Sequence, residues 1–100
     1  DFTFIDNVVD GVLRCMDAVG VAGEVINVAT GVRTSLNQAW TTLGDILGPL
    51  PEPVYQPSRV GDVRHSQADI GKAETLLGYR PVVDFDEGLR RTVGWAQTGT

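Results

Sequence analysis

One cysteine, Cys15, stands in 100 residues. It has no partner for an internal disulfide, and a single thiol is too few for a multi-cysteine zinc site. Basic residues are also scarce, with 8 Lys and Arg against 13 Asp and Glu, a formal net charge of −5. Without a basic run, the chain is poorly matched to the phosphate backbone of nucleic acid or to an anionic membrane. No apolar run approaches the roughly 18–20 residues that span a bilayer, and no basic-then-apolar leader is visible. These absences together point to a cytoplasmic protein in a reducing compartment. The one methionine is Met16 and the first residue is Asp1, which reads as a processed chain or a piece of something larger.

Two further absences bear on chemistry. No G-x-G-x-x-G or G-x-x-G-x-x-G dinucleotide loop is present, and Gly20-Val-Ala-Gly23 alone does not make one. No Tyr-x-x-x-Lys pair occurs either, because Arg59 follows Tyr55 at that spacing and Val83 follows Tyr79. The chain is therefore not a complete nicotinamide enzyme.

What is present is a folded composition, 42% hydrophobic and 21% charged, of a size for one domain at most. Asp1–Ile5 alternates polar and apolar residues like a short strand. Asp6 or Asn7 then caps a helix carrying Val8, Val9, Val12, Leu13, Met16 and Val19 on one stripe, with Gly20 as its stop. Glu24–Ala29 is a β-branched apolar run, expected as a strand buried on both faces with Asn27 satisfying nearby backbone. Ser35-Leu-Asn-Gln38 forms a capping-box pattern before Leu36, Ala39, Trp40, Leu43, Ile46 and Leu47. Pro49, Pro51 and Pro53 force an extended connection into an edge-like strand at Val54-Tyr55. Asp69 caps a short helix ending at Gly78, and Asp84-Phe-Asp-Glu87 opens a last one. The expected order is β-α-β-α-β-loop-α-α, an α/β chain.

Most singled-out residues have a plain reading. Cys15 lies beside Met16 on the apolar side of the first helix, as a buried and inert thiol would. Trp40 and Trp95 fall on helices and suit core or interface. His65 lacks partners at metal-ligand spacing and suits a loop-supporting role. One stretch resists such readings, the polar loop of residues 57–66 that contains Arg59-Val-Gly-Asp62-Val-Arg64-His65. Seven of the eight cations are arginines, whose guanidinium grips phosphate bidentately. In this loop Arg59 is placed to fork a phosphate, Gly61 lets backbone approach closely, and Asp62 can accept from paired sugar hydroxyls. The alternative is a surface turn with solvated Arg–Asp ion pairs of negligible energy.

Five blocks occur in order: Asp1–Gly11 (DFTFIDNVVDG), Val25–Gly31 (VINVATG), Arg59–Val63 (RVGDV), Ala68–Pro81 (ADIGKAETLLGYRP) and Phe85–Trp95 (FDEGLRRTVGW). Together they resemble the C-terminal third of an extended short-chain dehydrogenase/reductase of the NAD-dependent nucleotide-sugar epimerase family. The resemblance runs from Asp1 to Trp95. It implies a substrate-binding portion of a Rossmann-superfamily enzyme without the dinucleotide-binding half, residues 1–100 forming one partial domain. It also implies that Arg59 holds the diphosphate of a nucleoside-diphosphate sugar and Asp62 its ribose hydroxyls. The family commonly carries another phosphate-binding arginine immediately before the position of Asp1, outside this chain. The implied reaction of the parent enzyme is hydride removal at the sugar C4 by NAD, rotation of the keto sugar, and hydride return. The NAD site and catalytic groups belong to the N-terminal part, so the chain itself is expected to bind no cofactor and to show no turnover. The alternatives are a 4,6-dehydratase or decarboxylase of the same superfamily, or a non-catalytic binding or interaction module.

In such an enzyme the Val8–Val19 and Leu36–Leu47 stripes and the Val25–Ala29 segment pack on other parts of the protein. Exposed in isolation, they form an apolar patch that favours self-association. The 100-residue chain is therefore expected to be a homo-oligomer, a dimer or larger; a monodisperse monomer in light scattering at high concentration contradicts this.

Overall fold

The computed structural model describes residues 1–99; Thr100, the last residue of the expected 1–100 domain, lies outside the described residues. Four helices follow one another: α1 (Ile5–Asp17), α2 (Leu36–Leu47), α3 (Gly71–Leu77) and α4 (Phe85–Thr98). Packing pairs α1 with α3 and α2 with α4. The radius of gyration is 16.3 Å and the extents are 50 × 35 × 19 Å. A compact domain of this length has a radius of gyration of about 13 Å, so this body is flat and open.

The three expected strands are not strands: among the described residues there is none. A strand is defined by ladder hydrogen bonds to a neighbour, and among the described residues no such ladder forms. The 24–29 segment is nevertheless extended in its packing pattern. Ile26 and Val28 pack toward a core of Ala73, Leu77 and Tyr79, and Ala29 is buried, while Val25 and Asn27 face solvent. Burial is thus confined to Ile26, Val28 and Ala29 rather than running along both faces, and among the described residues Asn27 makes no hydrogen bond to backbone.

Helix α1 departs further from expectation. It starts at Ile5 with Phe4 as an uncapped N-cap, and it ends at Asp17, where Ala18 turns extended, short of Gly20. The early exit lets Ala18 and Val21 reach the core cluster. The face of α1 that meets the rest of the chain is Asn7-Gly11-Cys15, spaced by four, and not the valine stripe. Gly11 is buried because Val28 lies against it: a Cβ there would stand 2.5 Å from Val28 Cγ1. Val9, Val12, Leu13 and Met16 point outward and are about half exposed or more. Cys15 is half-buried against the core cluster.

The other helices begin as their capping residues dictate. Ser35 Oγ accepts from Gln38 N at 3.1 Å while Gln38 Oε1 accepts from Ser35 N at 2.8 Å, a reciprocal box. Asp84 Oδ1 accepts from Glu87 N at 2.9 Å at the head of α4. At α3 the cap shifts by one residue: Ile70 is the N-cap, and Asp69 Oδ1 accepts from Gly71 N. Gly78 closes α3 in the left-handed conformation, with φ of 62°.

Two buried polar side chains join these pieces. Asn7, fully buried, donates from Nδ2 to Val83 O at 2.8 Å and accepts at Oδ1 from Val82 N (2.8 Å) and Val83 N (3.0 Å). Tyr79, also fully buried, donates from its hydroxyl to Ala29 O at 2.6 Å. Exposed ion pairs, Arg14–Asp10, Lys72–Glu24 and Arg91 with Glu87 and Asp6, add little.

Asn7→Ala should destabilise the fold by about 3 kcal/mol or more, since three backbone groups lose their partner at a buried site; an unchanged urea midpoint contradicts the network. Burial, with a smaller contribution from the Asp10 charge, raises the Tyr79 pKa above its ordinary 10.0. The unfolded state therefore releases this proton first, and the contribution is whole below about pH 10 and lost as pH rises through the folded value. Melting curves against pH should show an alkaline loss of stability that is smaller in Tyr79→Phe than in the parent.

Candidate functional site

Residues 57–66 form an exposed segment between Pro57 and the α3 approach. Its centre is a tight turn. Asp62 N donates to Arg59 O at 3.2 Å, and Asp62 Oδ2 accepts from Arg59 N at 3.0 Å, so the turn is closed from both sides. Gly61, third of its four residues, has φ of 90°, the positive value that a type II turn requires there and that a Cβ disfavours. Val60, at the tip, is fully exposed.

The two residues singled out from sequence, Arg59 and Asp62, are therefore brought together, but backbone to carboxylate. No Arg59–Asp62 ion pair forms. Among the described residues the Arg59 guanidinium has no hydrogen-bonding or charged partner. One oxygen of Asp62 is engaged in the turn and the other is open. Chemically, the turn presents a fork of N–H donors on one side and a carboxylate acceptor three residues away. Arg64 and His65 are exposed nearby, and no group of three or more His, Cys, Asp or Glu among the described residues is arranged to hold a metal.

No family model matches the chain. Individual relatives do. It is 39% identical over 93 residues to the UDP-glucose 4-epimerase of Mycolicibacterium smegmatis, covering 93% of this chain and 29% of that protein. Its fold superposes with a TM-score of 0.90, at 40% identity, on the UDP-glucose 4-epimerase of Thermotoga maritima solved with UDP-glucose. The Bacillus cereus UDP-glucuronic acid 4-epimerase, solved with UDP-glucuronic acid and NAD, gives 0.91 at 30% identity. The two structural matches cover 99% and 100% of this chain and 31% and 32% of those. Over its whole length the chain is similar to a portion of the nucleotide-sugar 4-epimerases, which are extended short-chain dehydrogenase/reductases. It spans about 30% of the length of the epimerases it matches.

The dinucleotide-loop question has a structural answer as well. Gly20-Val-Ala-Gly23 leads into the extended 24–29 segment rather than into a helix. No helix N-terminus follows it to receive a pyrophosphate, so these residues do not fit NAD.

Sequence reading missed one cluster. The carboxylate of Asp1 accepts from Thr30 Oγ1 (2.7 Å), Thr30 N (3.2 Å), Thr3 Oγ1 (3.3 Å), Gly31 N (2.8 Å) and Ala68 N (3.3 Å). Its donors lie up to 67 residues away, and no local pattern announces them. Two shallow apolar grooves also flank α4. One, of about 240 Å³, includes Phe2, Phe4, Phe85 and Leu89; the other, of about 470 Å³, includes Phe4, Ile5, Arg91 and Trp95. Neither touches the 57–66 turn.

Proposed function

We propose that this chain is the C-terminal, nucleotide-sugar-binding portion of an NAD-dependent UDP-sugar 4-epimerase. The observation that carries the reading is the agreement of its whole length with epimerases solved holding UDP-sugars, at TM-scores of 0.90 and 0.91. In this reading the Arg59 guanidinium grips the diphosphate and the Asp62 carboxylate accepts from the ribose hydroxyls. The geometry supports those roles: the guanidinium is uncommitted, and Asp62 keeps an open oxygen while its other holds the turn. Both groups stand on a closed turn, which spares part of the ordering cost of binding. NAD and the groups that act at the sugar C4 belong, in this reading, to the remainder of the epimerase.

The test is calorimetric titration of UDP into the full-length protein and its variants. Arg59→Ala should weaken binding by about 2–3 kcal/mol, the scale of a lost charge-assisted contact. Asp62→Asn should cost about 1 kcal/mol, because the amide oxygen still closes the turn but one acceptor is gone. Both should raise KM more than they lower kcat, since neither group is assigned to the reacting carbon. Unchanged UDP affinity in Arg59→Ala removes the assignment.

A further inference from the structure

Between residues 56 and 65, hydrogen bonds and ion pairs are confined to the Arg59–Asp62 turn itself, among the described residues. The polar contacts that orient the turn must therefore act at the two ends of the segment. The upstream end is lightly held, by Tyr55 Oη donating to Asn37 Oδ1 on α2 at 3.1 Å. The downstream end is held far more densely. Ala68 N donates to Asp1 Oδ2 at 3.3 Å, and Gln67 Nε2 donates to Gly31 O at 2.6 Å. The same Asp1 carboxylate takes Gly31 N and both Thr30 donors. One carboxylate thus gathers three places in the chain, residues 1–3, 30–31 and 68.

Every contact to this carboxylate is a donor, which suits a charged group of two oxygens and about four lone-pair directions. An amide would not substitute. With its nitrogen at the Oδ2 position it meets the Gly31 and Ala68 N–H groups; turned over, it meets the Thr30 N–H. Hydrogen bonds to a carboxylate are roughly twice as strong as neutral ones, and part burial limits their screening by solvent. The 30–31 segment is itself held from the other side, because Tyr79 binds the carbonyl of Ala29.

We infer that Asp1 is a positioning residue: its carboxylate fixes the downstream end of the 57–66 segment and thereby sets where Arg59 stands. This rests on the reading that Arg59 meets the nucleotide diphosphate. Asp1 acts through the loop and is assigned no ligand contact of its own.

The test uses four forms of the full-length protein: parent, Asp1→Asn, Arg59→Ala and the double variant. UDP affinity and amide hydrogen exchange are measured for each. Asp1→Asn should weaken UDP binding about fivefold, the equivalent of one hydrogen bond. It should speed exchange across residues 58–66 and leave α4 unchanged. In the Arg59→Ala background the same change should cost clearly less affinity, since only the Asp62 contact is left to displace. An equal loss in both backgrounds means a merely structural effect and overturns the inference, as does unaltered exchange in residues 58–66. If Arg59→Ala alone leaves UDP affinity intact, the nucleotide reading of the loop fails and the positioning role falls with it. That pattern is distinct from a sensitive Arg59 with an indifferent Asp1, which overturns the positioning role alone. Should Asp1→Asn not fold, Gln67→Ala removes one exposed tie at the same end; it should loosen residues 58–66 in the same direction by less, and no change there overturns the inference.

Discussion

The arrangement of this chain depends on one buried carboxamide. Asn7 sits on α1 with both ends of its amide engaged, and its partners are the backbone groups of residues 82 and 83, some 75 positions away. A buried Val83 N–H and C=O without a partner would each cost about 1–3 kcal/mol. The amide removes that cost only if α1 presents its Asn7-Gly11-Cys15 face inward. That requirement turns the valine stripe outward. It also brings Gly11 against Val28, where only a residue without Cβ allows the approach.

The 57–66 loop is linked to this constraint through a short relay. Asn7 fixes Val83 and hence the head of α4. Tyr79 belongs to the same connector, packs with Ala73 and Leu77, and binds the carbonyl of Ala29. Ala29 leads into Thr30 and Gly31, whose donors meet the Asp1 carboxylate, and the same carboxylate ties to Ala68. Each link is a polar contact between segments distant in sequence. The helices serve mainly as rigid supports for those contacts.

This explains what the sequence made legible and what it hid. The heads of α2 and α4 were readable because a capping serine or aspartate and its N3 partner lie within four residues. The 57–66 stretch was readable as a polar loop because Arg59, Asp62, Arg64 and His65 crowd between Pro57 and the approach to α3, whereas the backbone closure between Arg59 and Asp62 was not. Asp6 or Asn7 was read as a helix cap, since a residue at a helix start that bonds to position 83, as Asn7 does, looks the same in sequence as one that caps. The extended runs at residues 1–5, 24–29 and 54–55 were read as strands from β-branched and apolar content. That content is a statement about packing on a pleated surface, whereas pairing needs a hydrogen-bond ladder that the described residues do not form. Asp1 left no signal, because its donors are ordinary backbone amides and threonines.

The core is small for the length: among the described residues the buried hydrophobics are Ala29, Ala73, Leu77, Tyr79 and Val83. Apolar burial is the dominant favourable term in folding, and here much of the apolar surface lies outside the core, on the outward stripe of α1 and the grooves beside α4. A buried polar network stabilises weakly in net terms but discriminates sharply between arrangements, because a misplaced donor or acceptor carries the full cost of desolvation. Asn7, Tyr79 and Asp1 therefore define which arrangement the chain adopts, while the energy for holding it must come largely from covering the apolar faces. In a chain that spans about 30% of the epimerases it resembles, those two roles fall on different surfaces: the polar one joins the segments to each other, and the apolar one faces away from them.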